Sequence, residues 1–147
     1  MQRRAERLSD LRFRCHLWLA ARWLTVRAKG RPIETLLQAA TPAPGFEPYR
    51  GLSAERIVEA VRRTLARPWR MRGRRCLREG LLAFRFLRLA GYPAVLHFAV
   101  ASPSPTDRMR AHCWVTLEGR LIHESPREGM VPLLEWDGEA RPATQNG

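Results

Sequence analysis

The chain has 147 residues, 45% of them apolar, and this length and composition predict one globular domain and exclude an intrinsically disordered chain. Its formal net charge is +12, from 26 Lys and Arg against 14 Asp and Glu, and Lys29 is the only lysine. Such a surplus of positive charge favours acidic partners, which can be nucleic acid, an anionic membrane or an acidic peptide. A GC-rich genome would explain the preference for arginine equally well.

Three cysteines, Cys15, Cys76 and Cys113, argue against both a disulfide framework and a metal site. Their number is odd and no pair has metal-ligand spacing, so we expect a reducing cytoplasm and no bound metal. No signal peptide is visible, and the apolar stretch from Leu11 to Val26 is too interrupted by arginines to cross a bilayer. This stretch is compatible with a helix lying on a membrane surface or on a partner protein. The sequence contains no nucleotide-binding glycine loop, so no cofactor is predicted.

The N-terminal half is predicted to be helical. Apolar residues at helical spacing predict a first helix over residues 5–28 and a short second helix over residues 33–40. A loop rich in Pro and Gly follows, to about Gly51. Ser53 is then typical of an N-cap, and the apolar stripe behind it predicts a third helix that ends before Pro68.

The C-terminal half combines one helix with strands. After a basic connector at residues 69–75, the pattern predicts in order a helix, a strand and a hairpin, at residues 76–91, 94–100, and 110–117 with 120–124. Residues 137–147 are polar and predict a flexible tail. Helices followed by a helix that leads into an antiparallel sheet predict an α+β fold. We divide this single domain into a helical N-terminal extension at residues 1–52 and a core at residues 53–136.

Cys76 has the features of a reactive thiol. It lies in the first turn of its predicted helix, where the macrodipole lowers a thiol pKa and unsatisfied N–H groups can stabilise an oxyanion. Arg74, Arg75 and Arg78 are close in sequence and favour the thiolate. Gly80 belongs to a face of small residues on this predicted helix. A glycine inside a helix lowers helix stability by about 1 kcal/mol relative to alanine, so its presence predicts close packing against the sheet.

His112 is the natural base for Cys76, because it begins an alternating run in the predicted hairpin. Such a pair needs a third group that orients the imidazole. A two-residue loop at residues 118–119 would pair His112 with Ser125, whereas a three-residue loop would place it opposite Glu124. We predict the three-residue loop, and with it the triad Cys76, His112 and Glu124.

Several segments carry a resemblance to a known family. They are Cys76-Leu77 heading an apolar helix, Leu89-Ala90-Gly91-Tyr92-Pro93-Ala94, His112-Cys113-Trp114-Val115, and Glu118-Gly119-Arg120. The region from about Ser53 to Leu134, more than half of the chain, resembles the C-terminal domain of lasso-peptide biosynthesis B proteins. Those proteins are leader peptidases of the transglutaminase-like superfamily.

The resemblance implies a papain-like thiol protease that removes the leader from a ribosomally made precursor peptide. Cys76 would be the nucleophile, His112 the base and Glu124 the acid. The family usually has Asp at the position of Glu124 and Ala at the position of Cys113. Full-length relatives often carry an N-terminal recognition module that looks like a winged helix, whereas residues 1–70 here are predicted to be helical. The resemblance therefore implies two protein partners, a separate leader-recognition protein and an ATP-dependent lasso cyclase.

Three other functions stay open at this stage. The same fold can transfer acyl groups to amines, and the sequence does not separate transfer from hydrolysis. Glu124 in place of Asp is also compatible with a catalytically inactive scaffold. A basic nucleic-acid-binding protein is the third alternative, but the arginines are scattered over all helices and are not grouped with exposed aromatic residues.

Overall fold

The computed structural model describes residues 2–27, 30–66, 75–101 and 111–142, with side chains from Asp10 onward. These ranges hold four helices and five strands, which confirms the α+β class. In chain order they are α1 (Gln2–Arg27), α2 (Ile33–Ala40), α3 (Ala54–Leu65), α4 (Arg75–Leu89), β1 (Ala94–Ala101), β2 (Ala111–Leu117), β3 (Arg120–His123), β4 (Met130–Trp136) and β5 (Ala140–Pro142). The connector expected at residues 69–75 lies outside the described residues except for Arg75.

The helix boundaries follow the capping signals of the sequence. The side chain of Ser53 accepts a hydrogen bond from the backbone N–H of Arg56 at 3.3 Å, which confirms the N-cap of α3. Helix α4 ends at Leu89, and Gly91 follows it with φ +86°, a left-handed conformation that glycine adopts without strain. The predicted bounds of α2 are confirmed without change.

The N-terminal helices pack into the same core as α4. Phe13 of α1 meets Phe86 of α4 edge-on, with ring centroids 5.6 Å apart, and Leu36 of α2 is buried in the same cluster. On its other side α1 exposes five large apolar side chains, Leu11, Trp18, Leu19, Trp23 and Val26. Among the described helices, none is long and apolar enough to cross a membrane. Contact of α1 with a membrane surface or with another protein stays a prediction.

The five strands form one antiparallel sheet in the order β3-β2-β1-β4-β5. Strands β4 and β5 were not predicted. Ala140–Pro142 pairs with Leu134–Trp136, so this part of the expected tail at residues 137–147 is instead the edge strand of the sheet. An edge position tolerates Pro142, because only one side of an edge strand pairs with a neighbour. Residues 143–147 lie outside the described part of the chain.

The predicted register of the β2–β3 hairpin is wrong. Leu117 pairs with Arg120, so the loop contains only Glu118 and Gly119, with φ values of +49° and +77°. Positive φ at both positions is the geometry of a type I′ turn, whose twist matches that of paired strands. A bulge follows, because Thr116 pairs with Leu121 and Val115 already pairs with His123. The three-residue loop that would have set His112 opposite Glu124 is therefore absent from this hairpin.

Candidate active site

Cys76 and His112 come together as the sequence predicted. Cys76 is the second residue of α4 and half-buried, and His112 is the second residue of β2 and buried. The Cys76 sulfur lies 3.1 Å from Nδ1 of the imidazole, within hydrogen-bond reach. The start of a helix and the start of a strand thus supply a thiol and a base in direct contact.

The orienting partner of the imidazole is a backbone group. Nε2 of His112 lies 2.7 Å from the carbonyl oxygen of Ser125. A carbonyl oxygen can only accept a hydrogen bond, so Nε2 carries the proton and donates it. In the neutral imidazole Nδ1 is then unprotonated and faces Cys76 as an acceptor, which is the tautomer that a base requires.

Glu124 lies next to this arrangement without a hydrogen bond to the imidazole. Its side chain is exposed, its φ is +56°, and both ring nitrogens of His112 are occupied by Cys76 and Ser125. The difference from the expected triad follows from the hairpin, since the shorter loop and the bulge changed which residue meets His112. The role of Glu124 as the catalytic acid stays a prediction.

Cys113 completes the surroundings of the thiol. Its backbone N–H donates to the Cys76 sulfur at 3.2 Å, and its own sulfur lies 3.6 Å from that of Cys76. The hydrogen bond with the Cys113 side chain, the Cys113 backbone N–H and the charge and hydrogen bond of His112 together lower the pKa of Cys76 to about 6, against the opposing effect of burial. A large fraction of Cys76 is therefore thiolate at neutral pH.

Gly80 has the packing reason that the sequence suggested. A Cβ atom at this position would lie 2.6 Å from the Cys113 sulfur and 3.1 Å from Cδ1 of Leu96, far closer than side chains normally approach. The bare backbone of α4 thus lets β1 and β2 come close and brings the first turn of the helix to His112.

Aromatic rings cover the imidazole on the sheet. The ring of His112 lies 6.1 Å from that of Trp114, and Trp114 stacks on His97 of β1 at 5.2 Å. Nε2 of His97 in turn lies 2.8 Å from the hydroxyl of Thr116. This stack buries His112 and fixes the plane of its ring. The strand alternation of His112, Trp114 and Thr116 was the signal for it.

A second polar cluster adjoins the pair and was not predicted. Glu79, His123 and Glu124 each place a possible metal-ligand atom within 4.8 Å of the others. His123 is fully buried, with Nε2 3.6 Å from Glu79, and Arg75 donates a hydrogen bond to the same carboxylate at 2.6 Å. Of the arginines expected to favour the thiolate, Arg75 is thus engaged with Glu79, and Arg74 lies outside the described residues.

Comparison with known protein families also finds a match that includes this site. The family model described as the transglutaminase-like superfamily matches residues 17–135. The chain belongs to the transglutaminase-like superfamily. The matched region of this transglutaminase-like chain begins within α1 and includes Cys76 and His112. No curated protein and no solved structure matches it.

In a transglutaminase-like domain, this site can perform acyl transfer through a thioester. The Cys76 thiol has a base, His112, at 3.1 Å, and the hydrogen bond from His112 to Ser125 fixes the tautomer of that base. Cys76 also lies in the first turn of α4. The first N–H groups of a helix have no partner within it, so they can stabilise a developing oxyanion. Hydrolysis and transfer to an amine both begin with this chemistry.

Proposed function

We propose that the protein is a cysteine protease that removes the leader from a ribosomally made lasso-peptide precursor. The observation that carries this proposal is the contact between the Cys76 sulfur and Nδ1 of His112 at 3.1 Å. Membership of the transglutaminase-like superfamily supports the thiol chemistry. The sequence segments around Cys76, His112 and Gly119, which resemble those of lasso-peptide leader peptidases, support the assignment to leader removal.

The reaction begins at the junction of leader and core. The Cys76 thiolate attacks the carbonyl carbon of the scissile bond, and the oxyanion is stabilised at the start of α4. His112, protonated on both nitrogens, gives its Nδ1 proton to the leaving nitrogen as the C–N bond breaks. The core peptide departs with a free N-terminal amine, and the leader remains as a thioester on Cys76.

The second half of the reaction releases the leader. Nδ1 of His112 is now unprotonated and takes a proton from a water molecule, which attacks the thioester carbonyl. The C–S bond breaks, the leader leaves with a carboxyl group, and the thiolate and imidazolium are restored. Throughout, Nε2 keeps its proton and donates a hydrogen bond to the Ser125 carbonyl oxygen, which holds the ring in place.

The proposed partners follow from the chemistry of the product and from the helical N-terminus. The new core amine is the nucleophile that an ATP-dependent cyclase needs. We assign leader recognition to a separate small protein, because α1 and α2 pack into the core of this chain. The three cysteines are free thiols, in keeping with a reducing cytoplasm.

The proposal is tested with the precursor encoded beside the gene and its recognition protein. Mass spectrometry should show separate leader and core with the wild-type chain, and with Cys15→Ala as a matched control for loss of an exposed thiol. Cys76→Ala and His112→Ala should abolish cleavage. Unchanged cleavage by Cys76→Ala would overturn the assignment.

An added primary amine separates hydrolysis from acyl transfer in the same assay. A protease should release the leader with a free carboxyl group even when the amine is in excess. A leader that carries the amine as an amide would instead assign the chain to the acyltransferases, with the same pair at work.

A further inference from the structure

A second thiol lies against the nucleophile, and the proposed mechanism assigns no step to it. The sulfurs of Cys76 and Cys113 are 3.6 Å apart, and the Cys113 thiol donates a hydrogen bond to the Cys76 backbone carbonyl at 3.0 Å. Cys113 is fully buried, whereas Cys76 is half-buried. Of the two sulfurs, Cys76 is therefore the more accessible to a reagent in solution.

The fold holds the two sulfurs together from both sides. Gly80 closes the space behind Cys113, since a Cβ atom there would lie 2.6 Å from its sulfur. The backbone N–H of Cys113 donates to the Cys76 sulfur, which ties the strand to the helix start at 3.2 Å. The sulfurs lie in van der Waals contact at 3.6 Å and must approach to about 2.05 Å to form a disulfide.

The two thiols differ in the way that a disulfide-forming pair requires. The Cys113 contacts and His112 lower the pKa of Cys76 to about 6, so it is the thiolate that an oxidant meets first. The contact with Cys76 and burial raise the pKa of Cys113 well above its usual value, so it remains a protonated thiol. Oxidation therefore begins at the accessible sulfur and ends at the buried one.

We infer that Cys113 is a resolving thiol, which forms a reversible disulfide with Cys76 when the protein meets a peroxide. The Cys76 thiolate attacks hydrogen peroxide, the O–O bond breaks, and Cys76 becomes a sulfenic acid while hydroxide leaves. The Cys113 sulfur then attacks the Cys76 sulfur. The S–O bond breaks, and the departing hydroxyl group takes the thiol proton and leaves as water. Counted from the Cys76 thiolate and the Cys113 thiol, the two sulfurs have lost two electrons, and the peroxide has become one hydroxide ion and one water.

The disulfide blocks the nucleophile and shields it from irreversible oxidation to the sulfinic acid. A dithiol restores both cysteines by exchange, as expected of a redox-sensing bond in a reducing compartment. Loss of protease activity on oxidation rests on the proposed function. Formation of the bond does not, because it needs only the two sulfurs.

Tryptic mapping tests the bond in the wild-type full chain. Arginines place each cysteine in its own peptide, at residues 15–22, 76–78 and 111–120. After treatment with a small excess of hydrogen peroxide and blocking with N-ethylmaleimide, peptides 76–78 and 111–120 should be joined, and dithiothreitol should separate them. Cys76 found as sulfinic acid beside an unmodified Cys113 would overturn the inference.

Two variants give a second measurement. Each protein is treated with peroxide and then with dithiothreitol, and the alkylation rate at Cys76 is compared with its own initial value. The wild-type chain and Cys15→Ala should recover the full rate. In Cys113→Ser the recovered fraction should be at least about fivefold smaller, because its Cys76 is not shielded from irreversible oxidation to the sulfinic acid. Equal recovery in all three would overturn the inference. If Cys113→Ser fails to fold, the mapping of the wild-type chain still decides. Joined peptides in a protein without precursor cleavage would refute the proposed function alone, and cleavage without joined peptides would refute this inference alone.

Discussion

The imidazole of His112 donates from Nε2 to the carbonyl oxygen of Ser125 at 2.7 Å. This single hydrogen bond fixes the tautomer, because it leaves Nδ1 as the nitrogen that faces Cys76. A backbone carbonyl carries no charge, so it orients the ring without the electrostatic support that a carboxylate gives to an imidazolium. The site as seen here is a Cys–His pair held by the backbone.

Substitutions at residues 124 and 125 follow from this hydrogen bond. With the Ser125 carbonyl as the orienting group, Glu124→Gln should lower the rate of precursor cleavage by less than about tenfold, whereas loss of the acid from a working triad costs about 10⁴-fold. Ser125→Ala should cost less than about twofold, since it keeps the carbonyl. A loss above about 10³-fold in Glu124→Gln would instead identify Glu124 as the catalytic acid. The test compares kcat of purified variants, with His112→Ala as the reference for a lost base.

Gly80 and Cys113 should be coupled in stability. In an ordinary helix Gly→Ala stabilises by about 1 kcal/mol, but overpacking a core costs about 1–3 kcal/mol. Because the new methyl group would meet the Cys113 sulfur at 2.6 Å, we expect Gly80→Ala to destabilise the wild-type chain. In a Cys113→Ala background the same change should cost at least about 1 kcal/mol less.

Urea unfolding of the four proteins in this cycle measures the coupling. A Cys15→Ala background serves as the control, and there the cost of Gly80→Ala should equal that in the wild-type chain, since Cys15 is exposed on α1. An equal cost in the Cys113→Ala background as well would show that the close approach of α4 to β2 is wrong.

The stability of the protein should fall as the pH is lowered, in two windows. The pKa of Cys76 is about 6 in the fold against 9.0 unfolded, so between these values the unfolded chain holds the extra proton and stability rises with pH. Burial lowers the pKa of His123 below 6.5, against the opposing charges of Glu79 and Glu124. Below pH 6.5 the unfolded histidine therefore protonates first, and stability falls further.

Urea unfolding between pH 5 and pH 9 separates the two contributions. Cys76→Ala should weaken the dependence above about pH 6. His123→Gln should weaken it below about pH 6.5 and leave a remainder there, because burial also lowers the pKa values of His16 and His97. Stability that is constant over the whole range in the wild-type chain would contradict both assignments.

The sequence was a good guide to the helices and to the reactive pair. Ser53 caps α3 and Gly91 follows α4, where local chemistry decides the boundary. Cys76 and His112 were recognisable because a helix start and an alternating strand are both local patterns. Their contact depended only on α4 packing against β2, which Gly80 signalled in advance.

The hairpin and the last strands depended on interactions that local patterns do not show. Glu118 adopts a φ of +49°, which a non-glycine residue resists, so the sequence favoured a longer loop than the strand pairing imposes. Strand β4 was not predicted because it contains Pro132, and an interior strand tolerates proline only beside a bulge. The bulge exists, since Phe98 pairs with Leu134 and Ala99 pairs with Pro132.

The orienting partner of His112 depended on the same pairing. One residue of register and one bulge decide whether His112 meets a carboxylate or a carbonyl. The Cys113 contact was equally out of reach, because it required knowing that the helix start reaches two successive residues of β2.

The alkylation of Cys76 as a function of pH tests the central claim without any substrate. Iodoacetamide should modify Cys76 with a midpoint near pH 6, against 9.0 for an unshifted thiol, and the modification is read in tryptic peptide 76–78. The exposed Cys15 is the internal reference. His112→Gln should move that midpoint to higher pH. A Cys76 midpoint that equals that of Cys15, and does not respond to His112→Gln, would contradict the activated Cys76–His112 pair.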